Sequence, residues 1–432
     1  MSLATLYRTQ GLAAVQRAVA AQYQDLRAQL GDNAPPELLT MGLLGAVCAD
    51  DQDSAGAIAR RMFPNVPALT PMRLSPMAKL ADYCAARGLR HDVVMPPQPV
   101  KIAPSSQYTM PFSYMTEPAV FASVPRGQYV PGWDVVIGED NTILQDTGYL
   151  PPDASTHSFV AFCVRKLKCL IHYAPVEEVF VDEDVLFLST PDNNVGHWMI
   201  DFLPRLKGLS FVPGGKIKVA VPRGMHPRYL EMLKAFGISD ADMMVCDPSK
   251  RYRFRMLHIY RPGLATPPNP VHVQFVRNGF VGGRALRVQP GKRVFVARTR
   301  IGTRLVANDA EFADFLKQEG FVSADLADLS LEQQHELLRD AEIILGTFGS
   351  NLFGMYFAPP GCTVVALMND LSEDLAVAPT ASMLGMYHEI FLCDRAREPG
   401  RKRHKRDTDV LIDCAALRER LAEIPGRYAA AT

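Results

Sequence analysis

His197 and Asp201 stand four residues apart in the stretch NNVGHWMIDFLPRLKG, residues 193–208. At that spacing two side chains share one face of a helix. Asn193 or Asn194 can cap its start, because an Asn side chain accepts from the unsatisfied N–H groups of the first turn. Pro204 lacks an N–H and crowds the preceding turn, so the helix bends or ends there, with Arg205 at the break. A histidine beside a carboxylate is the equipment of general-base chemistry. The plainer reading is a capped helix whose polar groups satisfy each other. The large apolar Trp198 and Phe202 on the same turn belong in a core, so this short helix is asked to be both buried and chemical.

Two further stretches carry groups suited to an anion. VFVARTRIGTRLVANDAEF leaves an apolar strand at Ala297 and then presents Arg298, Arg300 and Arg304 before a helix begins. Guanidinium groups stay charged and bind two oxygens at once, which suits a diphosphate; a solvated basic turn is the alternative. LGTFGSNLFG follows the strand EIIL. Its Gly349 lets backbone approach a ligand, and Ser350 and Asn351 open a helical start whose free N–H groups favour negative charge. It is neither a G-x-G-x-x-G fingerprint nor a phosphate loop ending in Lys-Ser/Thr.

An Asp-x-Asp, Asp182 and Asp184 in VEEVFVDEDVLFLST, has the form that holds a divalent metal in many sugar-nucleotide enzymes. Flanked by apolar runs, it reads as a solvated turn between two strands, and no metal is expected. The basic run from 395 to 406 reads as a solvated loop, with contact to anionic lipid head groups or an anionic glycan as the alternative.

The elements that would position these groups alternate. KIKVAVP, HPRYLEMLKAFGI and DMMVCDP form a strand–helix–strand unit, and a second series runs from GKRVFVART to CTVVALM. Such alternation builds parallel sheets, and ligands of open α/β sheets bind at the carboxyl ends of the strands. Before them, residues 11–30 space Leu12, Val15, Val19, Tyr23, Leu26 and Leu30 as an amphipathic helix. PPELLTMGLLGAVCADD and SPMAKLADYCAARGL continue in helical register. The segment MPPQPVKIAPSSQYTMPFSYMTEP reads as an extended connection. The expected organisation is a helical region over 1–95, an α/β acceptor-side domain over 96–270, a Rossmann-like nucleotide-binding domain over 271–385, and a basic loop with a closing helix over 386–432. The amphipathic stripe packs on its own domain or serves a homodimer contact.

Composition narrows the classes. The chain has 432 residues, 48% of them hydrophobic and 21% charged, enough to bury sizeable cores. Lys plus Arg and Asp plus Glu are both 46, which gives no reason to expect a nucleic-acid partner. Eight cysteines form no CxxC pair and several sit in apolar runs, so buried reduced thiols are expected. Arg8 and Arg17 interrupt any leader-like apolar stretch, and no window is apolar enough to span a bilayer. The expected location is cytoplasmic, with peripheral attachment to the inner face of the cell membrane through the basic run left open.

Together the motifs resemble glycosyltransferase family 61. Its N-x-x-H-W-x-x-D-x-L-P-R-L segment is matched by Asn194, His197, Trp198, Asp201, Leu203, Pro204, Arg205 and Leu206. Roughly a hundred residues on, Arg298, Arg304 and Asn308 match the family's arginines and asparagine, although Leu305 replaces the second arginine of a pair and Asp309 a Glu. LSLEQQHELLRDAEIILG and GSNLFGMYFAPPGCTVV resemble the remaining motifs. The similarity covers about residues 120–370.

That resemblance implies a GT-B-like fold, two Rossmann-like domains facing a cleft, and an inverting transfer that needs no metal or other cofactor. A sugar would move from a nucleotide-sugar donor, expected to be UDP-linked, to a hydroxyl of a surface glycan or lipid-linked oligosaccharide. It makes Asp201 the first choice of base and His197 the alternative base or acceptor-orienting partner. Arg298, Arg304, Asn308, Gly349, Ser350 and Asn351 would hold the donor, while Asn194, Trp198 and Arg205 serve the acceptor side or fix the helix. Phe348 and Ala366 stand where many members have His and Glu. A non-catalytic sugar-nucleotide-binding partner in a glycan assembly complex is therefore the second reading.

Overall fold

The structure is a computed structural model that describes residues 2–62, 71–102, 112–131, 135–147, 160–164, 169–173, 175, 177–188, 194–214, 217–263, 267–299, 302–372, 374, 376–396 and 408–429. Asn193, Arg300 and nearly all of the basic run from 395 to 406 lie outside them.

Helices Leu3–Gln10, Leu12–Ala28, Pro36–Cys48 and Gln52–Met62 open the chain. Their apolar faces, with Val15, Val19, Tyr23, Leu43 and Ile58 in the centre, pack together and onto Met72, Leu74, Cys169 and Ile171 of two paired strands. The expected helical register of SPMAKLADYCAARGL is not kept. Met72–Ala78 is a strand antiparallel to Cys169–Tyr173, and only Leu80–Ala85 is helical. A partner strand nearly a hundred residues away decides this, and local periodicity cannot register it. The extended connection after Met95 likewise contains a strand pair, Pro99–Ile102 with Phe112–Met115.

The large sheet joins twelve described strands. At one end four run parallel in the order 243–246, 218–222, 178–187, 251–261. Strand 178–187 is thus central: the chain first extends the sheet on one side through 218–222 and 243–246, then crosses back to the other side with 251–261, which makes a topological switch point. Beyond Arg251–Arg261 the sheet continues antiparallel through Ala119–Pro125 and Gln128–Tyr129. It is therefore a mixed sheet, parallel-rich at the end that carries the site. Glu178–Phe187 also corrects the expected pair of strands around an acidic turn. It is one strand, with the register against Arg251–Arg261 shifting between Val181 and Asp184. The irregularity absorbs the acidic residues, as a bulge does.

The second sheet has five parallel strands in the order 321–324, 293–296, 343–347, 363–368, 387–392. Strands buried on both faces need continuous apolar sequence. IILGT and TVVALM are buried at every position. Helix Asp309–Gln318 buries Phe312, Phe315 and Leu316, and helix Leu331–Leu338 starts at a capping box made by Ser330 and Gln333. This sheet reverses its order between 293–296 and 343–347, so the crevice there is the default ligand position.

One continuous core joins the two sheets. It contains Trp198, Phe202, Tyr229 and Leu233 from the first unit, Val273, Val276 and Phe280 from helix Pro270–Val281, and Val296, Ile344, Met355 and Phe357 from the second. The cysteines whose side chains are described are free thiols, buried except for the half-buried Cys48. Burial pushes Cys48 and Cys84 up to about 11, and Cys246 and Cys393 to about 12. Among the described residues no helix is long and apolar enough to cross a membrane.

Candidate functional site

The first half of the site grows from the carboxyl end of Glu178–Phe187. Asn194 caps the next helix, its Oδ1 accepting from the N–H groups of Gly196 and His197 at 3.0 and 3.3 Å. After one α turn the chain becomes a π-helix over Trp198–Phe202, then a 3-10 helix from Leu203 to Phe211 with Pro204 in its first turn. A π-turn widens the helix by one residue and is often found at functional sites. Trp198 is fully buried, stacked on Tyr229 with centroids 4.6 Å apart and on Phe202 at 6.1 Å. Those rings anchor one side of the helix and leave the other to His197 and Asp201.

His197 Nδ1 lies 2.6 Å from Asp201 Oδ2. The imidazole is 39% exposed and the carboxylate 16%, so the histidine is the outer member of the pair. The hydrogen bond to Asp201 raises the His197 pKa above its usual 6.5, burial opposes, and the carboxylate's charge adds to the rise. Behind them Arg205 is buried. Its Nη1 donates to the Thr147 carbonyl at 3.0 Å and its Nε to the Asp201 carbonyl at 3.4 Å, and its guanidinium lies over the Phe202 and Phe187 rings. Arg205 thus locks the helix to the first sheet.

The second half sits at the switch point of the five-stranded sheet. Arg298, 8% exposed, follows strand Arg293–Val296 and lays its guanidinium over the backbone of Gly349, where an added Cβ would fall 2.1 Å from Nη1. Asn351 ties the two strand ends together, its Nδ2 donating to the Val296 carbonyl at 2.8 Å. Arg304 reaches the same turn. It holds a left-handed backbone (φ 58°), rare for a side chain of its size, and its Nη1 donates to the Phe348 carbonyl at 2.8 Å. Ser350 begins the 3-10 helix Ser350–Phe357.

Asn308 does not join them. Its amide exchanges hydrogen bonds with the backbone of Ile412, at 2.8 and 3.0 Å, and donates to Glu311 at 2.9 Å. That commits both ends of the amide to the closing segment of the chain, and the expected donor contact has no counterpart in this placement. Asp182 and Asp184 pair with Arg255, at 3.7 and 2.8 Å, on the surface of the first sheet.

The two halves meet at Gly196. A Cβ there would stand 3.0 Å from Ser350 Cβ and 3.1 Å from Phe353 Cε2. The His197 helix therefore starts directly against the turn that carries Arg298, Gly349 and Asn351. Sequence reasoning missed Gly196, Tyr229 and the π-turn. Only Gly196 left a trace, as a glycine in the first turn of a short helix, where close approach is one reason for glycine. Phe348 is half-buried against the shared core and Ala366 fully buried in its strand.

Residues 195–365 match the family model described as Glycosyltransferase 61. No curated protein matches the chain. Among solved structures, the bacterial iron-containing dodecameric glycosyltransferase TibC from enterotoxigenic E. coli H10407 is similar over 63% of this chain and 77% of its own, at 12% identity and a TM-score of 0.25.

Proposed function

We propose, from the match of residues 195–365 to the Glycosyltransferase 61 family model, an inverting, metal-independent transfer between the two halves of the site, with a GT-B-like division of labour. The observation that carries the proposal is the contact of Gly196 with Ser350, which sets a His–Asp pair beside an arginine-bearing turn at a switch point. The five-stranded sheet takes the diphosphate of a nucleotide-sugar, expected to be UDP-linked. The first unit takes the acceptor, a hydroxyl of a surface glycan or lipid-linked oligosaccharide on the cytoplasmic side.

The acceptor hydroxyl gives its proton to the dyad as its oxygen attacks the anomeric carbon from the face opposite the diphosphate. The bond from that carbon to the diphosphate oxygen breaks, and the electron pair leaves with the diphosphate. The outer position of His197 favours it as the group touching the hydroxyl, with Asp201 holding its tautomer and stabilising the imidazolium. This reverses the order expected from sequence, where Asp201 came first. Charge on the leaving diphosphate is met by Arg298, with N–H groups of the turn at Gly349–Asn351, while Arg304 braces that turn through the Phe348 carbonyl. A pair of aspartates engaged by Arg255 rather than presented to this gap supports a transfer without metal.

The test is transfer or donor hydrolysis across a panel of nucleotide-sugars. Asp201→Asn should cut turnover by about 10²- to 10⁴-fold and His197→Ala at least as far, both keeping nucleotide binding, and wild-type activity should survive EDTA. Turnover retained in both variants removes the dyad from the chemistry; loss to EDTA restored by Mn²⁺ removes the metal-free reading.

A further inference from the structure

A second set of cationic groups lies away from the His197 and Arg298 motifs, where side chains of the strand pair 72–78 and 169–173 and of the start of strand Arg251–Arg261 line one cavity. Arg73 and Ser75 are two residues apart on one strand, so they face the same side. His172 stands directly opposite Arg73 and accepts or donates a 2.8 Å hydrogen bond with Ser75 Oγ. Ser75 and His172 are each 3% exposed, while Arg73 is exposed. Across from them Arg251, whose side chain is 11% exposed, completes the wall of a cavity of about 80 Å³. A single water needs roughly 10–15 Å³ of such space, so the cavity suits an ion of a few heavy atoms.

Among the described residues the charge balance around the cavity is uneven. Glu178 accepts from Arg251 at 2.6 Å, but it also accepts from Arg253 at 2.8 Å, so one carboxylate serves two guanidiniums. Arg73 adds a third cation. Arg251 Nη1 reaches Asn141 Oδ1 at 3.2 Å, and its Nε is buried with no hydrogen-bond partner. A buried donor left unsatisfied is destabilising, the more so when charged. Burial pushes the Arg251 guanidinium below its ordinary range; Glu178 opposes this, and the neighbouring Arg73 adds to it.

We propose that this cavity binds a small tetrahedral oxyanion, the chemistry of inorganic phosphate or of a phosphate monoester. The ion would lie between the Arg73 and Arg251 guanidiniums and use the Ser75–His172 pair as further polar contacts. Guanidiniums match phosphate oxygens in pairs, which is why two of them flanking a polar pocket favour such an ion over chloride.

Thermal unfolding reads the site directly, because a ligand of the native state raises the midpoint with concentration. Chloride is replaced by inorganic phosphate at fixed pH and ionic strength, and separately by glucose 6-phosphate. The wild-type midpoint should rise and level off. Arg73→Gln, an exposed change that leaves the core untouched, should shift the dependence at least tenfold to higher phosphate, and Arg73→Glu should abolish it. Arg298→Ala should keep it. No rise in wild type overturns the proposal, and so does a rise kept in Arg73→Glu. A rise lost only in Arg298→Ala would put the ion at the nucleotide turn instead. Glucose 6-phosphate binding as well as the free ion identifies a monoester site; weaker binding restricts the cavity to the ion itself, and both support an oxyanion pocket.

Discussion

His197 and Asp201 form a graded pair, one ring reaching outward and one carboxylate held behind it. The carboxylate lifts the imidazole pKa above its usual 6.5, toward the range where a base is both available and strong. Only the neutral ring accepts a proton, so activity should fall as pH drops through that raised value. In Asp201→Asn the lifting charge is gone and the acid limb should move to lower pH, with kcat reduced by about 10²- to 10⁴-fold. A kcat–pH profile decides it: a limb that stays in place assigns the titration to another group. Arg298→Ala should weaken donor nucleotide binding by about 2 kcal/mol, roughly thirtyfold, as a charge-assisted contact does. Unchanged affinity by calorimetry would remove Arg298 from the donor site. At this scale the sequence foretold the contact of His197 with Asp201, because a four-residue spacing is local. It gave no sign that the Asn308 amide binds its own chain at Ile412. A side chain's partner is a tertiary fact that residue type does not contain.

Among elements, the turn after strand Ile343–Thr347 and the helix that starts at Asn194 set how the two halves of the site meet. Gly349→Ala would place a methyl 2.1 Å from Arg298 Nη1. The clash meets the far end of a flexible side chain, so the fold should survive while the guanidinium is displaced. Donor affinity should fall to near that of Arg298→Ala, and the double variant should be little worse than either single one, because both changes act through one contact. Additive losses would separate the two residues. The helices 309–318 and 331–338 and the strands around them were legible because apolar period and caps are local. Strand Glu178–Phe187 was misread as two, since VDEDV looks like a solvated turn until a bulged register and Arg255 absorb its charge. The π-turn at Trp198–Phe202 had no local signature; it lies between the buried Trp198 and Phe202 rings and the turn that Arg205 ties to the Thr147 carbonyl.

Across the whole molecule the apolar cluster around Trp198 does not stop at the border between the sheets. Trp198→Ala removes a fully buried ring stacked on Tyr229 and should cost about 3–5 kcal/mol of stability. Denaturant unfolding followed by probes in each sheet should shift together; separate midpoints would mean the sheets are energetically independent. That shared interior also limits motion. Bodies that rock against each other need a wet, weakly packed seam, whereas close-packed interiors resist continuous deformation. Here Phe280 of helix Pro270–Val281 lies with its ring centroid 5.4 Å from that of Phe236 in the first unit and 5.1 Å from that of Phe357 in the second, and Arg277 of the same helix donates to the Ala358 carbonyl. Opening the molecule like a jaw would tear these contacts. Substrates must then enter and products depart through rearranged loops and side chains at the rim, and the radius of gyration in solution should be the same with and without nucleotide.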